Sequence, residues 1–217
     1  MIQIKKYKVT DMPDNHTVTS LQQLEDLYGP VNPNSLAKEV SCLNATYRSW
    51  LEKSPFLAIA SGGESGLDCS PRGDKTGELF RILDDQTIAI PDRRGNNRID
   101  TLRNIVENPK IGLLFLIPGI NETLRINGQA KLTTDPVLLE SFSVAGKQPQ
   151  TVIIISIEAV YFQCARALIR SGLWKSSYQL SKGDVPSAGQ MTKGALPEFD
   201  ADSYDEALPG RQKSTLY

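Results

Sequence analysis

Between Phe56 and Ile157 the chain reads as a succession of short apolar or alternating runs, each closed by a turn signal. That pattern limits the fold more than any other feature. Phe56–Ser61 and Leu67–Ser70 flank Gly62-Gly63-Glu64-Ser65-Gly66, which reads as a hairpin turn. Leu79–Leu83 and Thr87–Ile90 flank Asp84-Asp85-Gln86 in the same way. Ile111–Ile117 is apolar throughout. Thr123–Leu132 alternates, with Leu124, Ile126 and Ala130 on one side and Arg125, Asn127 and Lys131 on the other. Thr151–Ile157 is β-branched. Six or more strands joined mainly by hairpins predict a mainly β (α+β) fold: an antiparallel barrel, closed or nearly closed, with flanking helices.

Helical spacing is confined to the flanks and to a few connections. Leu21, Leu24 and Leu27 share a face, stopped by Gly29-Pro30. A second helix is expected over Asn34–Lys53, a third over Asp135–Ser143 with Thr134 as cap, and a short one over Ala159–Gly172. Residues 1–19 read as a polar arm. The chain thus divides into an arm with helices packing on the barrel (1–53), the barrel domain (54–175) and an extended tail (176–217) with one helical turn near Asp202–Ala207.

Composition excludes several function classes. With 217 residues the chain is one domain with appendages, and 40% hydrophobic content is ordinary for a globular protein. A net charge of −1 argues against bulk nucleic-acid binding. No apolar run approaches the roughly 20 residues of a membrane span, and the N-terminus lacks a secretory pattern. Cys42, Cys69 and Cys164 are odd in number and widely spaced, which fits reduced thiols and a cytoplasmic location. His16 is the only histidine, so Ser-His-Asp, Cys-His and His-based metal chemistry are excluded and no metal site is expected. No Walker-type GxxxxGK occurs.

The stretch Ile90–Asn108, IPDRRGNNRIDTLRNIVEN, carries the most chemistry. A strand ends in Pro91, a loop presents Arg93, Arg94, Asn96, Asn97 and Arg98, and a helix follows through Leu102, Ile105 and Val106. Asp100 or Thr101 is placed to cap that helix. From Pro91 to Asn104 four Arg stand against two Asp, a net of +2. Backbone N–H groups at a helix start, its dipole and guanidinium forks suit an anion such as phosphate. A solvated hairpin loop of ordinary charge is the alternative.

The order of elements resembles the pyridoxamine 5′-phosphate oxidase-like, FMN-binding split-barrel family. Three passages carry the resemblance: Asp68-Cys-Ser-Pro-Arg-Gly-Asp74, the stretch Ile90–Asn108 with its Asn108-Pro109 turn, and Glu122–Ala130 with its Gly-x-Ala pattern. The match covers roughly Pro55 to Trp174. It implies FMN as cofactor, an oxidoreductase acting on a small molecule, oxygen or NAD(P)H as electron partner, and a homodimer with two subunits building each flavin site. No nucleic-acid or membrane partner is implied.

By the same resemblance, Arg98, Asn96 and Asn97 would hold the FMN phosphate, with Arg94 as a further ligand. Ser70, Pro71, Arg72 and Gly73 would run past the isoalloxazine, with Arg72 or Asp74 near its polar edge. Pro91 and Asp92 would lie beside the ribityl chain. Thr123 and Arg125 would approach the pyrimidine side, and Trp174 would reach across from a partner subunit. The chain departs from the vitamin B6 oxidase itself: Asn97-Arg98 stands where that enzyme has an Arg-Lys pair, Asp74 where it has a lysine, and its C-terminal Arg, Ser, Gly, Trp and Arg pattern is absent. The resemblance therefore carries the cofactor and not the substrate. Structural alternatives stand beside these roles: Arg72 in a salt bridge to Asp68 or Asp74, Asp74 as a turn cap, Trp174 in packing, and Arg103, Arg166 and Arg170 on solvated helix faces. A non-catalytic flavin or haem carrier and a deazaflavin-dependent reductase remain the rival functions on the same barrel.

Overall fold

The computed structural model describes residues 16–217, so most of the polar arm expected over residues 1–19 lies outside the described residues. Two compact units are present, the first ending at Lys38 and the second spanning Glu39–Tyr217. The first contains α1 (Leu21–Tyr28), capped by Ser20 and stopped at Gly29, where φ is +68°, and α2 (Pro33–Ala37), capped by Asn32.

The single helix expected over Asn34–Lys53 is broken. Asn44 caps a new helix, α3 (Ala45–Leu51), by accepting from the Tyr47 N–H. Between α2 and α3, Val40 exchanges backbone hydrogen bonds with Val160, and the Leu43 N–H donates to the Asp85 carbonyl. Leucine and valine spacing alone favours a continuous helix, but these tertiary bonds draw the segment onto the barrel.

The second unit is built on one antiparallel sheet of seven strands in the order β2-β1-β5-β6-β7-β4-β3. The strands are β1 (Phe56–Gly63), β2 (Gly66–Gly73), β3 (Arg81–Asp84), β4 (Thr87–Pro91), β5 (Lys110–Leu116), β6 (Thr123–Thr133) and β7 (Val152–Gln163). The edges β2 and β3 do not pair, so the barrel is split. The sheet nevertheless curls on itself: Phe80, just before β3, meets Phe115 of β5 edge-to-face at 5.5 Å between ring centroids. Alternate residues enter the enclosed core, among them Leu57 and Ile59 (β1), Leu113 and Phe115 (β5), Leu124 and Ile126 (β6) and Ile153 and Ile155 (β7). Leu51 and Trp50 of α3 and Ile105 and Leu102 of α4 (Asp100–Glu107) close it.

β7 shows why a continuous β-branched run appears in the sequence. Its other face is buried too, with Val152 and Ile154 packed beside Ala89 and Phe142 under Leu138 and Leu139. The last two belong to α5 (Pro136–Ser141), capped by Asp135 rather than Thr134. β7 continues to Gln163 through a stretch expected to be helical, because Ala159, Val160, Tyr161 and Phe162 complete the ladder with β6. The helix there shrinks to α6 (Arg166–Ser171). The tail after residue 176, expected to be extended but for one helical turn near Asp202–Ala207, folds into α7 (Ala188–Ala195) and α8 (Ala201–Ser214), the latter containing that turn. A Ser187–Gln190 capping box starts α7, and Asp205 of α8 accepts from the Gly189 N–H and the Ser187 hydroxyl. Pro209 lies inside α8, where sequence rules predict a break.

The register of β6 on β7 shifts between Asn127 and Gly128, where Glu158 is bulged. A Cβ on Gly128 would lie 2.1 Å from the Ser156 carbonyl oxygen. The close approach of two backbones, not a turn, accounts for glycine here. Gly128→Ala is expected to destabilise the fold by roughly 3 kcal/mol through forced opening of this ladder. A urea titration checks it; an unchanged midpoint would show that the ladder yields freely.

Candidate functional site

One end of the split barrel holds a cleft of about 620 Å³ between β2, the loop after β4 and the start of α4. Its architecture begins with α4, which is pinned to the β1–β2 hairpin. Buried Asn104 donates from Nδ2 to the Ser61 hydroxyl at 3.1 Å, and the Thr101 hydroxyl donates to Asp68 Oδ2 at 2.5 Å. Glu107 accepts from the Glu64 N–H in the hairpin turn at 2.8 Å. Ile105 and Leu102 face the core, whereas Val106, expected on the same face, is exposed.

The loop that α4 holds is conformationally unusual. Asn97 has φ +60° and Ile99 φ +52°. A left-handed β-branched residue is a genuine outlier, and such strain persists only where the surroundings impose it. Ile99, not Asp100 or Thr101, occupies the N-cap and makes no side-chain capping bond. The first-turn N–H groups of α4 therefore lack the side-chain acceptor that usually serves them. Asp100 falls inside the first turn, where it accepts from Arg98 Nε at 2.7 Å.

Ser70, Pro71, Arg72, Gly73, Asp74, Pro91, Asp92, Arg94, Asn96, Asn97 and Arg98 all line this cleft. Thr123, Arg125 and Trp174 do not. Thr123 is buried at the start of β6, Arg125 donates to the Tyr161 hydroxyl and to Gln163, and Trp174 Nε1 donates to the Ile120 carbonyl. The candidate residues thus fall into two groups within one chain. The cleft also includes Leu79, Arg93, Ile99, Thr101, Leu216 and Tyr217, none of which stood among the sequence candidates for cofactor binding. Arg93 was visible only as one cation of the loop. Nothing in the composition of the last residues pointed to the cleft.

The four cationic side chains differ in their ties. Arg72 lies 3.6 Å from Asp92, its salt-bridge partner rather than the Asp68 or Asp74 of the structural alternative, and its Nε is buried without a hydrogen-bond partner. Arg93 donates from Nε to Asp74 Oδ2 at 3.1 Å and from Nη1 to the Phe142 carbonyl at 2.6 Å, leaving Nη2 buried and unpaired. Asp74 also accepts from the Lys75 N–H and from the Tyr217 hydroxyl, and its side chain is only 3% exposed. Arg98 is different: its side chain is 76% exposed, so its pair with Asp100 is weak and the guanidinium is free to turn to another anion. Arg94 is exposed beside it.

The carboxylates respond to these surroundings in opposite directions. Burial works to raise the Asp68 pKa, but hydrogen bonds from Thr101 and Ser70 and the charges of Arg72 and Arg98 outweigh it, and the group is held below the ordinary carboxylate value. Asp92 is pushed up by burial, which the Arg72 charge only partly offsets. The hydrogen bond to Asp74, then burial, raise the Tyr217 phenol, which stays a proton donor at neutral pH. Because the fold holds the Asp92 proton more tightly than the unfolded chain does, ionisation of Asp92 costs stability as pH rises through its folded pKa. That cost is absent below about pH 4, the unfolded value. Asp92→Asn, uncharged at every pH, is expected to raise the melting temperature at pH 7 and to lose that advantage near pH 4. Thermal melts at both pH values check it, and a variant less stable than the parent at pH 7 rules it out.

No group of three or more His, Cys, Asp or Glu among the described residues is placed to hold a metal ion, and no described helix is long and apolar enough to cross a membrane. The family model for pyridoxamine 5′-phosphate oxidase matches residues 43–164, over half of the chain. No curated protein matches the chain. Among solved structures, HupZ of Group A Streptococcus is similar at 21% identity, with 55% of this chain and 93% of that one covered and a TM-score of 0.45. A protein of the pyridoxinephosphate oxidase family from Clostridium acetobutylicum, related to general stress protein 26, is similar at 14% identity, covering 54% and 85% with a TM-score of 0.42. The FAD binding protein from Mycobacterium smegmatis is similar at 13% identity, covering 57% and 97% with a TM-score of 0.40. From Leu43 through the seventh strand to Cys164, the chain belongs to the pyridoxamine 5′-phosphate oxidase family.

Proposed function

We propose that the protein is an FMN-binding flavoprotein, an FMN-dependent oxidoreductase acting on a small molecule, with two subunits completing each flavin site. The observation that carries this reading is the cleft's donor set. Arg98 and Arg94, the amides of Asn96 and Asn97 and an uncapped helix start converge at one end, which suits a phosphate. Pro71, Pro91 and Leu79 offer apolar surface along the rest, and the cavity has the size of a typical cofactor site. Arg72 and Arg93 add two guanidinium groups to the cleft lining, although Arg72 Nε and Arg93 Nη2 themselves are buried.

When bound, the isoalloxazine supplies hydride or electron-pair chemistry at N5. The chain's own contribution is binding and electrostatics. Arg98 and the α4 N-terminus would hold the phosphate, and Arg72, steadied by Asp92, would place positive charge in the cleft. Arg125 and Trp174 lie apart from the cleft within one chain, and in a homodimer they would be the residues to reach a partner's site, whereas Thr123 is buried. The family supports the flavin, and the donor set favours the phosphate-bearing form.

Purified protein is expected to carry, or take up on addition of FMN, a flavin absorption band. Arg98→Ala should weaken FMN binding on the order of tenfold to a hundredfold while leaving the melting temperature unchanged. Equal affinity of variant and parent would mean that the phosphate sits elsewhere. Bleaching of the bound flavin by NADH or NADPH separates an oxidoreductase using a nicotinamide partner from a carrier; a flavin inert to both, and to oxygen after chemical reduction, sinks the enzymatic reading.

A further inference from the structure

The segment that follows α8 returns to the cleft, far in sequence from the strands and loop that form it. Tyr217 is gripped there from three separate segments. Its hydroxyl donates to Asp74 Oδ1 at 2.7 Å, the Arg93 guanidinium lies 5.5 Å over its ring, and Lys147 Nζ donates to its backbone oxygen at 2.9 Å. The first two contacts come from the end of β2 and the loop after β4, the third from the connection between α5 and β7. The cavity keeps its volume with the ring in place, so Tyr217 bounds the cleft rather than filling it.

We propose that Tyr217 is a ligand-contacting, specificity-determining wall of this cleft, its ring held ready to pack against the planar ring system of the bound cofactor. The inference deepens the flavin reading and rests on it. Tyrosine suits the task because it offers an apolar ring and a polar handle at once. Here the handle is engaged by a shielded carboxylate, a strong acceptor. Arg93 occupies one ring face, and its remaining buried donor, Nη2, lies in the same corner. The ring is therefore preorganised, so a planar ligand meets a wall already ordered. A ligand consisting of the phosphate end alone meets Arg98, Asn96 and Asn97 and gains nothing from Tyr217.

That asymmetry supplies the test. FMN is titrated into the wild-type protein and the Tyr217→Ala, Tyr217→Phe and Arg98→Ala variants, and ribose 5-phosphate is used to displace it. Tyr217→Ala should bind FMN on the order of tenfold more weakly. It should leave the inhibition constant of ribose 5-phosphate unchanged. Tyr217→Phe, which keeps the ring, should retain most of the affinity, and Arg98→Ala should weaken both ligands. Full FMN affinity in Tyr217→Ala overturns this inference alone. Equal weakening of FMN and ribose 5-phosphate in that variant also overturns it, because the tail would then only support the phosphate loop. A wild-type protein that takes up no FMN overturns the flavin reading and this one together.

Discussion

The buried contact between Asn104 and Ser61 is the point on which the cleft depends. It fixes a helix to a hairpin through two polar groups that are almost wholly buried. Such a bond contributes about 1 kcal/mol net, but leaving either group unpaired costs about 1–3 kcal/mol, so the pair resists separation. Thr101 to Asp68 and Glu107 to the Glu64 N–H repeat the attachment on either side. With β4 paired to β7 at one end and α4 clamped at the other, the loop between them has little freedom. Left-handed Asn97 and Ile99 are tolerated because both ends are imposed from outside.

Charge in the cleft is divided between two tasks. Arg72 and Arg93 are half-buried and tied to Asp92 and Asp74, which themselves sit on different strand ends. These pairs draw the end of β2 toward the loop after β4, across the gap where the barrel does not close. Arg94 and Arg98 are exposed and keep their charge available to solvent or ligand. The opposite pKa shifts of Asp68 and Asp92 follow from the same layout: burial acts on both, but Asp68 receives two hydroxyl donors, while Asp92 has the Arg72 charge at 3.6 Å against its burial.

Much of the fold was legible. Apolar runs, alternation in Thr123–Leu132 and the turn residues between them located the core of each strand, since side chains that reach the enclosed core must be apolar. The first stretch to mislead was Asn34–Lys53, where helical spacing continues through residues that tertiary bonds pull onto the barrel. The second was Ala159–Gln163, expected in a helix although Val160, Tyr161 and Phe162 suit a strand, where they complete a ladder begun by Val152. The third was the tail, where glycine, serine and Pro209 masked two helices held together by Asp205.

The site divides along the same line. The cationic loop, the Ser-Pro-Arg-Gly-Asp strand and the helix after Ile99 are contiguous in sequence, so their residue types and spacing could be read directly. Local order determines the strands, the anion-suited loop and the family. Which cation faces which carboxylate, why Ile99 stands at an uncapped helix start, and that Tyr217 reaches a cleft built from residues 68–101 were decided by tertiary structure alone. These are contacts between positions distant in the chain, and a pairing such as Tyr217 with Asp74 leaves no periodic trace in the sequence for local rules to find.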